Sequence, residues 1–247
     1  MTGMLNAQDI VRRANQPADV PIDFYVEASL KHESPVFRSP AQYEILKSKL
    51  LTLPPGEAVR TVLLVGSAAG DGVSTTAMNL AGVMARDSQR KVVLLDTNLA
   101  SPGLNDFIQS EPVLGLTDIV YDNLEQVPFL KLGSDNLYAL PVGRKRMNPI
   151  ELFQSDKFDR LLSLVRNRFD YVFLDAPPVL GFPESLMLSA RVDAVILVVR
   201  SGSTRVEVAV KARKTLEAAG AKLLGVVVNR RRYHIPDRIY RFLFKRS

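Results

Sequence analysis

The chain has 247 residues, 47% of them hydrophobic and 23% charged, with 32 Lys and Arg against 26 Asp and Glu, 2 His and no Cys. Such a composition is globular, and the length suits one large domain or two small ones. Without cysteine there is no disulfide scaffold, Cys-ligated zinc or thiol nucleophile, and two histidines leave little for a His-rich metal site or a Ser-His-Asp triad.

Residues 1–40 carry Pro17, Pro21, Pro35 and Pro40 and little periodicity, which predicts a short helix near 7–15 followed by a linker. The opening MTGMLNAQDIVRR lacks the apolar core of a secretory signal, so the chain is expected to stay in the cytoplasm. In AQYEILKSKLL, Tyr43, Leu46, Leu50 and Leu51 recur at helical spacing. After Pro54-Pro55-Gly56 the pattern changes to short apolar runs: TVLLVG (61–66), KVVLLD (91–96), YVFLDAPP (171–178), DAVILVVR (193–200) and LLGVVVN (223–229), with a weaker NLYALPVG (136–143). They are continuous rather than alternating, as expected of strands buried on both faces. The longest, Ala194–Val199, falls far short of the roughly 18 residues needed to span a bilayer.

Helical stretches are predicted between them at about 74–88, 149–167, 183–190 and 204–219, the last closed by Gly220. Strands alternating with helices give an α/β fold, a doubly wound and mainly parallel sheet with right-handed crossovers. The expected organisation is an N-terminal extension at 1–40, an α/β domain at 41–230 and a basic tail at 231–247. From Arg230 to Ser247 seven Lys and Arg face one acid, Asp237, a surplus equal to the whole net charge of +6. A tail of this kind suits an acidic partner, an anionic lipid surface or simple solvation.

Ligands of such a sheet sit beyond the carboxyl ends of its strands. After TVLLVG comes Ser67-Ala68-Ala69-Gly70-Asp71-Gly72-Val73-Ser74-Thr75-Thr76 and then a helix, the layout of a phosphate-cradling loop. The pattern G-x-x-x-x-G-K-[ST] is not met, because Val73 stands in the lysine position and Ser67 in that of the first glycine. Phosphoryl transfer depends on positioning and electrostatic stabilisation, and valine supplies neither charge nor donor. Gly70, Gly72, Ser74 and Thr75, with Mg²⁺ on Ser74, would hold ATP weakly; otherwise the loop is a small-residue turn without a ligand. Asp96 and Asp175 end two strands at the same sheet edge, where an acid can hold Mg²⁺ or orient water.

These residues resemble the bacterial tyrosine kinases of capsule and exopolysaccharide synthesis, cytoplasmic P-loop ATPase domains related to MinD and ParA. The resemblance covers about residues 40–230 and rests on GDGVSTTAMNLA, VVLLDTNLASPGLNDF, GLTDIVYDN, NPIELFQSDKF and FDYVFLDAPPVL in that order. It implies a P-loop fold, Mg-dependent tyrosine phosphorylation, Asp96 and Asp175 as residual catalytic groups, Ser74 and Asp96 as Mg²⁺ ligands, and Asn229 at the adenine edge. It also implies phosphoacceptor tyrosines near the C-terminus, here Tyr233 and Tyr240. The departures fall on chemistry. Besides Val73, the second acid of the family's D-x-D-L-R motif is Asn98 and its arginine is Ala100. The E-x-x-R-x-x-R docking helix aligns with Ala41, Glu44 and Lys47.

The resulting expectation is a degenerate, non-catalytic relative that works with a separate inner-membrane polysaccharide co-polymerase, peripheral to the membrane through that partner. The alternatives are an active ATP-dependent autokinase, with Lys91 or Lys145 supplying the missing charge, and a ParA-like nucleic-acid-associated ATPase. No nucleic acid is expected on the first two readings.

Overall fold

The computed structural model describes residues 25–30, 40–53, 59–86, 90–109, 114–122, 127–133 and 136–230. In chain order the elements are β1 (Tyr25–Leu30), α1 (Pro40–Leu51), β2 (Thr61–Gly66), α2 (Val73–Ala85), β3 (Val92–Asp96), a 3-10 turn (Leu104–Asp106), β4 (Ile108–Gln109) and α3 (Leu116–Asp122). Then come β5 (Phe129–Leu132), β6 (Leu137–Leu140), α4 (Pro149–Gln154), α5 (Asp156–Arg168), β7 (Tyr171–Asp175), α6 (Pro183–Ser189), β8 (Ala194–Arg200), α7 (Val206–Ala218) and β9 (Leu223–Asn229).

The continuous apolar runs form strands because both faces of the sheet are covered. Successive residues of β2 point to opposite cores: Leu63 and Val65 join one apolar cluster, Val62 and Leu64 the other. α1 and α2 supply the second cluster, through Leu50, Met78, Leu80 and Met84, while α3–α7 supply the first. The order across the sheet is β4-β1-β5-β6-β3-β7-β2-β8-β9. From β6 to β9 every neighbouring pair is parallel. β5–β6 and β1–β4 are antiparallel. The doubly wound α/β sheet is therefore present, with β2, β3 and β7 at its centre.

Three expectations need correction, and one strand was not read from the sequence at all. The stretch read as a linker contains β1, which adds to the sheet beside β5 and β4. β5 is only FLKL, too short and too interrupted by Lys131 to register as a buried run. The helix expected over 149–167 breaks at Ser155, whose backbone is extended and whose hydroxyl accepts from the Phe158 amide at 3.2 Å, starting a second helix. β9 is buried on neither face along much of its length, because it is the sheet's last strand. The helix expected near 7–15 and the basic tail lie outside the described residues. Among those described, no helix is long and apolar enough to cross a membrane.

Candidate functional site

The site forms where β2, β3 and β7 end together. Gly66 closes β2, the loop 67–72 turns, and α2 starts at Val73. The loop's shape is fixed by a residue that no sequence motif singles out. The buried Asp71 carboxylate accepts from the Ser67 amide (2.9 Å), the Ser67 hydroxyl (2.7 Å) and the Ala68 amide (2.9 Å) through Oδ2. Its Oδ1 accepts from the Thr204 hydroxyl at 2.6 Å, at the turn between β8 and α7. Asn229 Nδ2 donates to the Asp71 carbonyl at 3.0 Å from the end of β9. One residue thus ties three strand ends together and holds the cradle without any ligand. Its only sequence signal is an acid between two glycines. Asp71→Asn keeps an acceptor but loses the charge-assisted bonds, and we expect it to lower stability by about 2 kcal/mol in denaturant titration.

Gly72 has φ +87°, and a Cβ there would overlap Asn229 Nδ2, so glycine is required twice over. Both polar ends of Asn229 are engaged, since its Oδ1 also accepts from the Arg230 amide at 2.8 Å. One Nδ2 hydrogen and one Oδ1 lone pair remain for a further partner.

Val73 heads α2, whose first turn leaves backbone N–H groups without intrahelical partners. Its Cγ2 lies 3.1 Å from where a Cβ on Gly66 would be, and it packs against the cluster of β2 and α2. The side chain is half-buried. Of the two lysines suggested as substitutes, Lys91 lies at the far end of its strand and Lys145 pairs with an acid and a ring on α3. Lys91 precedes β3, and its amide donates to Asp170 at 2.7 Å, so it sits at the strand's amino end. Asp96 closes the same strand five residues on, about 16 Å away. Lys145 lies on the loop after β6, 3.3 Å from Asp122 and 4.8 Å from the ring centre of Tyr121. Its neighbour Arg144 donates its amide to Asp118 at 2.9 Å.

Asp96 and Asp175 are register partners on adjacent parallel strands, and both are buried. Asp96 accepts from the amides of Asn98 (3.1 Å) and Leu104 (2.9 Å). Burial pushes its carboxyl up to about 6; these amide bonds oppose the shift, and the like charge of Asp106 adds to it. Asp175 is raised well above the usual carboxylate range by burial first and by Asp96 second, against a hydrogen bond from Ser74. Its Oδ1 has no partner among the described residues. Gly103 closes over this group, since a Cβ there would overlap Ser74 Oγ and stand 3.3 Å from Asp175 Oδ2. We expect Gly103→Ala to cost about 2 kcal/mol by thermal unfolding, with Gly181→Ala, which meets nothing within 4 Å, as the silent control.

The sequence-predicted Ser74, Asp96 and Asp175 therefore converge, with Gly70, Gly72 and Thr75 on the loop and helix beside them. An orphaned carboxylate oxygen, a second carboxylate and a hydroxyl make an all-oxygen donor set, which fits Mg²⁺ completed by water. Among the described residues no group of three or more His, Cys or acidic side chains offers a metal site of another kind. The nucleotide fits less well: the backbone cradle is present and its cation is absent. Tyr233 and Tyr240 lie outside the described residues. In α1, Glu44 and Lys47 pair with each other at 3.3 Å.

No protein-family model matches the chain. It is 30% identical over 189 residues to the tyrosine-protein kinase YwqD of Bacillus subtilis (strain 168), covering 76% of this chain and 79% of that protein. The crystal structure of the chimerical protein CapA2B2 superposes with a TM-score of 0.73 at 25% identity, covering 92% of this chain and all of that one. The cell division ATPase MinD of Pyrococcus furiosus shares the fold, with a TM-score of 0.56 at 22% identity over 75% of this chain and 79% of that one.

Proposed function

The chain belongs to the bacterial tyrosine-protein kinases, and from that premise we propose that it is a non-catalytic member regulating the chain length or export of an extracellular polysaccharide through a separate inner-membrane co-polymerase. The observation that carries this reading is Val73, set at the head of α2 in a loop that Asp71 otherwise holds in shape. The developing charge on a transferred phosphoryl group needs a cation at this place, and a valine packed toward Gly66 supplies none. Asn98 and Ala100 remove the second acid and the arginine of the neighbouring motif in the same way.

On this reading, Ser74, Asp96 and Asp175 bind Mg²⁺, which offsets their mutual repulsion, and the loop amides and α2 take a nucleotide's phosphates weakly. Bound Mg²⁺ would supply positive charge against phosphate, and Ser74, Asp96 and Asp175 would hold it, with water completing its coordination. The basic tail, with Ile239, Tyr240, Phe242, Leu243 and Phe244 among its arginines, is suited to anionic lipid or a juxtamembrane segment. A second reading, a working ATPase and tyrosine autokinase, is favoured by the intact carboxylate pair alone.

The test is association of the full chain with the detergent-solubilised co-polymerase. Binding of equal strength with and without MgATP, together with an altered polysaccharide length distribution on deletion of the chain, is the expected result. No association, or association that requires hydrolysable ATP, would overturn the reading.

A further inference from the structure

Ala212 and Leu216 of α7 share an apolar cluster with Leu197 and Val199 of β8, and all four are buried. The register partners of those β8 residues on the next strand, Val226 and Val228 of β9, are 47% and 55% exposed. The layer of helices therefore stops one strand short of the sheet's edge. What is left is a groove of about 390 Å³, lined by Val226 and Val228 of the strand and by Val206, Ala209, Val210 and Arg213 of α7. A soluble surface gains nothing from a bare apolar strand face unless something covers it. In a sheet of this class the natural cover is one more helix beside α7.

We propose that the occupant is the chain's own C-terminal segment, residues 237–246, folded back in cis as a helix antiparallel to β9. The place where the described chain stops argues for it. β9 ends at Asn229, beside the groove, and Arg230 takes the left-handed conformation (φ +52°) that turns the chain out of the strand direction. Residues 231–236 are long enough to reverse that direction, and Pro236-Asp237 is a helix-start signal. As a helix, residues 237–246 span about 15 Å, close to the roughly 13 Å of strand from Gly225 to Asn229. The sequence DRIYRFLFKR suits the place. At helical spacing Ile239, Tyr240, Leu243 and Phe244 form one face, and Arg238, Arg241 and Lys245 form the opposite one. The basic side chains thus turn to solvent, away from Arg200 and Arg213 in the groove's lining. Tethering decides against a free partner, because a segment held a few residues away has an effective concentration on the order of millimolar. The same apolar face is the one suited to lipid, so membrane attachment requires the segment to leave the groove.

Amide hydrogen exchange on the full chain, read by mass spectrometry, tests this. Residues 237–246 of the wild type should exchange at least about tenfold more slowly than an unstructured chain. That protection should be the same at about 1 and 50 µM, as an intramolecular contact requires. Val228→Asp in the groove and Leu243→Asp on the segment should each return the segment to the unstructured rate, while Arg241→Glu on the solvent face should leave it protected. Unchanged exchange of β2 and β3 shows that each variant still folds, and Leu243→Asp lies outside the core altogether. A segment already at the unstructured rate in the wild type would overturn the proposal. So would protection that disappears on dilution, which is the mark of a second copy, or protection indifferent to Val228→Asp.

Discussion

Asp175→Asn should make the metal-free protein more stable at pH 8, an increase obtained by removing a family site residue. The sign follows from protons. Asp96 and Asp175 both have folded pKa values raised above the ordinary 3.8, Asp96 to about 6, and Asp175 well above the usual carboxylate range by burial and by Asp96. Between pH 4 and these values the folded chain binds more protons than the unfolded one, so stability falls as pH rises through the window. From Asp96 alone the loss is about 3 kcal/mol by pH 7, since a tenfold difference in proton affinity between the folded and unfolded chain is worth about 1.4 kcal/mol. The asparagine removes one charge outright and relieves the other, which flattens the profile. Magnesium acts in the same direction, because a cation replaces the missing protons. Millimolar Mg²⁺ should restore the wild type at pH 8 and do little for the variant. Chemical denaturation at pH 5 and pH 8, with and without Mg²⁺, checks this. A wild type equally stable at both, or a variant less stable at pH 8, would show that the pair does not carry the strain assigned to it.

Val73→Lys is the second large effect. A charge-assisted bond to phosphate contributes roughly 1.5–3 kcal/mol, so the variant should bind MgATP about 10- to 100-fold more tightly than the wild type in calorimetric titration. The scaffold needs no other change to receive it, because Asp71 already holds Ser67 and Ala68 and Gly72 already takes the left-handed turn. Binding should return without catalysis, since Asn98 and Ala100 remain. If wild type and variant bind equally, the backbone cradle suffices, and the account of Val73 fails.

Much of the parallel core was legible because burial on both faces forces continuous apolar runs, as in VVLLD and AVILVV. The edges were less legible. β5 is four residues long and β4 two, too short for any period to emerge. β1 lies in a proline-punctuated stretch and gains its place by pairing with β5 and β4, which are remote in sequence. Conversely, LLGVVVN reads like a central strand but lies at an edge, because composition records apolar content and not what covers it. In the site, Ser74, Asp96 and Asp175 were legible from their positions at strand and helix ends. Asp71 and Gly103 were not, because their roles depend on Thr204, Asn229 and Ser74, brought to them only by the fold.

The central claim, a preserved scaffold without phosphoryl-transfer chemistry, is tested most directly by incubating the full chain with radiolabelled ATP and Mg²⁺ and scoring phosphotyrosine. Beside it belongs the triple variant Val73→Lys, Asn98→Asp and Ala100→Arg, which returns the loop's cation together with the second acid and the arginine of the neighbouring motif. The account predicts no phosphotyrosine on the wild type and detectable transfer by the triple variant. Mg-dependent phosphate on Tyr233 or Tyr240 of the wild type, lost on Asp96→Asn, would contradict it.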